Sequence, residues 1–387
     1  MKAILKNKKP QNKKNYFASV LGYVKTLFSN QACIDRGTGK STIDGSQVGV
    51  KKTWYIAIIF FIVAIFAAMT PLTVQNSKIN GSNLLSGSTY GYNEAITSAA
   101  LFDEASSSTQ SYVKVSGTLN DVKFNKENKT FTITSGMSPK QTASGYDYYY
   151  LGYHKSIHTD STTGVSSYVK DFDFYYVPKD NLTKALTDLT KYTTKFDGTN
   201  LAEGSESFIN RNCSYLLISE KLMYTSKYSY SLSKAISSIY GDYEYLNLEN
   251  NTSIATYFTQ NVDKTAETET QNAVVIKNYK SFLDKTYQNL KTKNLWIQSG
   301  IILGIDGGLT LLLGLVVFLM TRGKNNPNRV IKWYQCFLIV FYASLCPGLL
   351  SLILGFMISN MAMMLYVVTF GVRVMWMSVK SLRPAYN

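Results

Sequence analysis

Four runs of apolar residues stand out along the chain. Trp54–Val74 (WYIAIIFFIVAIFAAMTPLTV) carries no charge. About 20 residues of helix, rising 1.5 Å each, cross a hydrocarbon core of ~30 Å. Leu295–Met320 has Asp306 as its sole charge, and Trp333–Ile358 has Pro347 at its middle. Met361–Ser378 has Arg373 as its sole charge. The pattern predicts four transmembrane helices, at residues 54–74, 295–320, 333–358 and 361–378. Only Ser359 and Asn360 separate the last two. That spacing implies a tight hairpin, or a single helix broken near Pro347–Gly348.

The long stretch between the first and second spans, residues 75–294, has a different rhythm. Val113–Val115 and Lys129–Ser135 (KTFTITS), with a polar turn around Asn125–Asn128, predict a hairpin. Tyr146–Tyr153, Tyr168–Val177 and Tyr215–Thr225 (YLLISEKLMYT) predict strands. Leu182, Leu186 and Leu189 share helical spacing within Asn181–Lys195. Gln271–Lys293 predicts a long helix leading straight into the second span. The expected class is a membrane α-helical bundle of four spans with an extracytoplasmic α+β domain inserted after the first. Ahead of the first span, Phe17, Leu21, Val24 and Phe28 fall on one face of an amphipathic helix at residues 16–28. Such a helix lies on the inner leaflet or packs beneath the spans.

Charge orients the scheme. Residues 1–53 hold eleven Lys/Arg against two Asp/Glu, residues 71–293 hold twenty-two of each, and residues 294–387 hold seven against one. The whole excess of +15 thus flanks apolar segments, the pattern of membrane topology and not of a basic nucleic-acid face. By the positive-inside rule the arm 1–53, the loop 321–332 and the tail 379–387 are cytoplasmic, and residues 75–294 lie outside. The stretch 1–53 is too long for the charged region of a cleaved signal peptide, and no small-x-small site follows the apolar run. The partners implied are the lipid bilayer and another membrane protein, with no nucleic acid.

Candidate chemistry is sparse. Of four Cys only Cys213 lies in the middle segment, so that domain closes no internal disulfide. No Cys/His spacing fits zinc, and no cofactor or catalytic residue is expected. Gly37-Thr38-Gly39-Lys40-Ser41 imitates the end of a phosphate-binding loop, but Ile34 stands where its first Gly belongs. His154 and His158, the two His of the chain, sit in an extended stretch where four-residue spacing does not converge them. The middle segment holds 22 of the 29 Tyr, which fits half-buried strands, or rings stacking on sugars or a partner. Its Asn-x-Ser/Thr sites follow from its composition.

Asp306 is the sharpest residue. A carboxylate at the bilayer centre costs roughly 2.5–3.5 kcal/mol, so it must face protein or water. Asp306 lies about 16 Å in from the outer end of its span, and Arg373 about 18 Å in from the outer end of its own. The matched depths predict an intramembrane polar pair; in the competing arrangement Arg373 snorkels to the headgroups and Asp306 keeps a proton. Gly300, Gly304 and Gly308 repeat at four-residue spacing, which predicts close helix packing within the chain or with a partner.

Phe17–Phe28 of the basic arm, the Trp54–Pro71 span, the YLLISEKLMYT strand and above all VIKWYQCFLIVFYASLCPGLLSLIL, with Tyr-Ala-Ser and Pro mid-span, resemble bacterial maltodextrin-utilisation membrane proteins, a family related to Yip-type domains. Gln31–Thr53 departs from that pattern as an insertion. The resemblance implies a role beside sugar uptake and supplies no catalytic residues. The reading that follows is a non-enzymatic accessory or binding subunit of a membrane complex. A membrane-anchored sensor or adhesion module competes with it, although four spans exceed what an anchor needs. A YidC/Oxa-type insertase would need a longer cytoplasmic hairpin than residues 321–332.

Overall fold

The computed structural model describes residues 13–40, 54–85, 91–103, 111–134, 136–141, 147–159, 164, 166–185, 213–229, 232, 234–324 and 326–382. In chain order the helices are α1 (Lys13–Phe28), α2 (Asn30–Thr38), α3 (Trp54–Ser77), α4 (Gly81–Leu84), α5 (Tyr92–Ala100), α6 (Ile254–Phe258), α7 (Thr268–Thr321), α8 (Trp333–Gly355) and α9 (Ala362–Met377). The strands are β1 (Tyr112–Lys114), β2 (Val122–Asn125), β3 (Thr130–Ile133), β4 (Lys140–Gln141), β5 (Asp147–Thr159), β6 (Ser166–Val177), β7 (Ser214–Ser219), β8 (Leu222–Ser229) and β9 (Lys234–Asp242). The chain divides into two units, Met1–Lys78 with Asn294–Asn387, and Ile79–Lys293.

The second unit is built on a seven-stranded sheet among the described residues, in the order β1-β5-β6-β7-β8-β9, with β4 also on β5. All its pairings are antiparallel except β6 with β7. Alternation along the strands gives the sheet two apolar faces. One, with Leu151, Phe172, Phe174, Leu216 and Met223, packs on Ile96 of α5, Phe258 of α6 and Phe282 of α7. The other gathers Tyr148, Tyr150, Tyr153, Tyr175 and Tyr215 around Leu182 and Ala185. These tyrosines are thus core residues, and burial of a tyrosine is tolerated best where its hydroxyl finds a partner. Tyr243 donates to the carbonyls of Ser219 and Leu222, and Tyr176 to that of Phe131.

Two strand expectations change. The partner of Thr130–Ile133 is Val122–Asn125, and Val113 joins the large sheet through Tyr153. The buried-intermediate alternation of VKFN marks the true first arm, and Ser116-Gly117 with the helical turn Leu119–Asp121 separates it from Val113. Tyr215–Thr225 is two strands, β7 and β8, turned at Glu220-Lys221. Residues 182–185 are helical as expected; 186–195 lie outside the described residues.

The first unit is helical. Helices α3, α7, α8 and a segment from α9 to Leu382 are long and apolar enough to cross a membrane. α8 runs unbroken through Pro347, and a helical turn at Ser359–Met361 leads into α9. Close approach rests on small residues. A Cβ on Gly348 would stand 2.7 Å from the Cα of Ala64, and one on Gly355 would meet Ala362 and Pro71. α1 and α2 pack against this bundle: Cys33 and Ile34 share its core with Ile339, Tyr342 and Phe370. A Cβ on Gly37 would strike Ile339, and Gly39 ends α2 in the left-handed region at φ 84°. Helix packing and capping therefore account for both glycines of the Gly37–Ser41 stretch.

Candidate functional site

Arg373 lies on α9 and fastens three other helices. Its Nη1 donates to the carbonyl of Ala343 at 2.9 Å, its Nε to Oδ1 of Asn30 at 3.3 Å, and its Nη2 to the carbonyl of Thr26. Each acceptor has a local reason to be free. Pro347 has no N–H, so the carbonyl four residues before it, that of Ala343, loses its helical partner. Thr26 lies in the final turn of α1, where carbonyls have no partner ahead of them. Ser29 caps α2 by accepting from the amide of Ala32, which places Asn30 at the first position of that helix. The Cys33 thiol also donates to Thr26 O at 3.3 Å. Arg36 stacks on Tyr23, 4.2 Å from the ring centroid.

Asp306 is fully buried, and neither carboxylate oxygen has a hydrogen-bond partner among the described residues. The structure therefore does not bring Asp306 and Arg373 together: the guanidinium is engaged by α1, α2 and α8. Equal depth in two spans fixes height, and leaves the facing of each side chain to helix rotation. On α7 the buried stripe is Ile302, Asp306, Thr310, Leu313 and Val317. Thr310 is 2% exposed and Tyr366 of α9 is 0% exposed. The Thr310 Oγ1 and the Tyr366 hydroxyl also lack partners, and the Tyr366 hydroxyl lies within electrostatic range of the Asp306 carboxylate.

The expected packing of Gly300, Gly304 and Gly308 is not made among the described residues. Nothing lies within 4 Å of a Cβ built on any of them. At 100° per residue they occupy the side of α7 opposite the Asp306 stripe. The inward glycine of this helix is Gly314, where a Cβ would meet the ring of Phe337.

In the sheet unit two buried carboxylates, Asp173 and Asp171, meet partners. Asp173 accepts from Tyr150 at 2.7 Å, Lys170 at 2.7 Å, Tyr175 at 3.0 Å and the Cys213 thiol at 3.1 Å. Burial, reinforced by the Asp173 charge, pushes the Tyr150, Tyr175 and Cys213 groups well above their ordinary values, so the Cys213 thiol stays protonated and inert. His154 Nδ1 meets Asp171 Oδ1 at 2.6 Å, both residues buried. β5 is extended through His154 and His158, and the side chain of His158 lies outside the described residues. Neither carboxylate partner was legible in the sequence; the signal that could have found them is the Lys-Asp-Phe-Asp run of β6, charged residues inside an otherwise apolar strand. No group of three or more metal-ligating His, Cys, Asp or Glu occurs among the described residues.

These features define a multi-pass helical membrane protein carrying a separate α+β domain. Comparison with protein-family models, curated proteins and solved structures found no match to the chain.

Proposed function

We propose that this chain is a non-enzymatic accessory or binding subunit of a complex in the cell membrane, with both termini cytoplasmic and residues 75–294 outside. The observation that carries the reading is a contrast between glycines. Gly37, Gly314, Gly348 and Gly355 all sit where a side chain would strike a neighbouring helix. Gly300, Gly304 and Gly308 meet nothing of their own chain, although each glycine costs a helix about 1 kcal/mol relative to alanine. A transmembrane helix of another subunit, close-packed on this stripe, offsets that cost. The charge asymmetry supports the orientation. The resemblance to maltodextrin-utilisation membrane proteins supports a sugar importer as the complex.

A photo-reactive residue at position 304 tests the reading, with one at Ile353, whose side chain is 65% exposed, as a lipid-facing control. One discrete adduct with an integral membrane protein is expected at 304 and none at 353, and Gly300→Leu with Gly308→Leu should abolish it. No adduct, equal adducts at both positions, or an adduct of two copies of this chain overturns it. For orientation, Glu127→Cys should react with an impermeant thiol reagent in intact cells; labelling only after lysis reverses the topology.

A further inference from the structure

We propose that Asp306, Thr310 and Tyr366 form an intramembrane site for one exchangeable monovalent cation, taken as a sodium ion or as a proton. The proposal stands independently of the subunit reading.

Its basis is three buried side chains whose four oxygens have no hydrogen-bond partner among the described residues. Asp306 and Thr310 are one helical turn apart on α7 and share its inward stripe. Tyr366 of α9 shares a buried cluster with Leu313 and Val317 of the same stripe, and its hydroxyl lies within electrostatic range of the Asp306 carboxylate. A buried hydroxyl or carboxylate normally finds a partner, because leaving one unpaired costs about 1–3 kcal/mol and more for a charge. Threonine in a helix has a ready acceptor in the carbonyl four residues back, and Thr310 makes no such bond. Thr369 does make it, to the carbonyl of Leu365 at 2.6 Å. The contrast points to an oxygen kept available.

The charge count fixes the class of ligand. α3, α8 and α9 carry one charged side chain, Arg373, and it is engaged by Thr26, Asn30 and Ala343. Tyr366 is the titratable group whose hydroxyl lies within electrostatic range of Asp306. One carboxylate in an apolar surround therefore lacks a counter-charge. A single positive charge neutralises it, whereas a divalent ion would leave a net charge in the hydrocarbon. Carboxylate and hydroxyl oxygens are hard donors, suited to an alkali cation and unsuited to soft metals. The surroundings are dry. Ile302 packs with Ile65 and Met69 on one side of the site. On the other, Leu313 and Val317 share a core with Phe370, whose ring stacks on Tyr366 at 5.4 Å.

The experiment measures Tm of the full chain in lipid nanodiscs, with sodium replaced by choline at constant ionic strength, at pH 5 and pH 8. Wild type is compared with Asp306→Asn, Thr310→Val and Tyr366→Phe. If sodium is the occupant, Tm at pH 8 rises by a few degrees with sodium and saturates, Asp306→Asn removes the response, and the other two weaken it. If a proton is the occupant, sodium has no effect, and wild type gains Tm from pH 8 to pH 5 by more than Asp306→Asn does. Should Asp306→Asn fail to fold, equilibrium binding of radioactive sodium to wild type and Tyr366→Phe decides the first arm. Proton uptake between the two pH values by wild type and Thr310→Val then decides the second. A wild type indifferent to sodium, whose pH response equals that of Asp306→Asn, overturns the proposal.

Discussion

Asp173 and Asp306 are both buried carboxylates, one in the sheet unit and one in the helical unit, and they are treated in opposite ways. Asp173 accepts from Tyr150, Lys170, Tyr175 and Cys213. Asp306 accepts from nothing among the described residues. A carboxylate with four donors is a structural knot, because the charge is compensated where it stands. A carboxylate with none, next to two further unpaired hydroxyls, is a place prepared for something exchangeable. Burial alone does not separate the two roles; the count of donors does.

The largest expected effect tests the closed side. Asp173→Ala removes the acceptor shared by four donors and should cost about 3–5 kcal/mol, read as a large fall in Tm of the full chain. Asp306→Asn, in sodium-free medium, should cost far less. Equal losses would erase the distinction.

Alkali probes the tyrosines that close the sheet unit. Tyr279, bonded to Tyr92 at 2.7 Å, is pushed up to about 12, chiefly by burial. In the unfolded chain it ionises near 10. Stability is therefore fully present below pH 10 and falls between pH 10 and 12, where only the unfolded state has lost the proton. The loss from this group approaches about 2–3 kcal/mol. Unfolding followed by circular dichroism should show that fall, and Tyr279→Phe should reduce it. A flat profile from pH 9 to 12 would mean the ring is not closed off from water.

The glycines carry the same comparison into the bundle. Gly348→Ala places a Cβ against Ala64 and should cost about 1–3 kcal/mol through overpacking. In isolated chains Gly304→Ala should be neutral or gain up to about 1 kcal/mol in helix propensity. A loss at Gly304 in the purified monomer would show that its face is already packed.

The smallest expected number is a coupling. Arg373→Leu should destabilise, since it strips Ala343, Thr26 and Asn30 of a donor. Combined with Asp306→Asn the losses should add to within about 0.5 kcal/mol, as for sites without shared partners. Partial rescue in the double variant would restore the ion pair that matched depths imply.

Periodicity and length made the spans legible, because a hydrocarbon core demands uninterrupted apolar residues and admits few exceptions. For the same reason Asp306 and Arg373 stood out at once. Their partners did not, since partner choice depends on how each helix is rotated about its axis, and an all-apolar span such as Trp333–Gly355 gives no sign of that. Asn30 and Thr26, ordinary residues of a basic arm, carried no mark of holding a guanidinium from the far end of the chain. In the sheet unit β5 and β6 were visible through their aromatics. β2 was missed because only Val122 and Phe124 of its four residues are apolar, and β7 and β8 were fused because Glu220-Lys221 turns without Gly or Pro.

The reach of Arg373 also bears on the order in which the protein is assembled. Its acceptors Thr26 and Asn30 leave the ribosome more than 340 residues before the guanidinium does. Bringing such distant segments together is slow compared with local helix formation. The first helices to be made receive their last fastening from the far end of the chain: Cys33 and Ile34 already pack on α8, and Arg373 adds the bonds to Thr26 and Asn30. Protease protection of residues 13–38 in chains truncated before and after residue 373 reads that last step directly, with stronger protection expected in the longer chains.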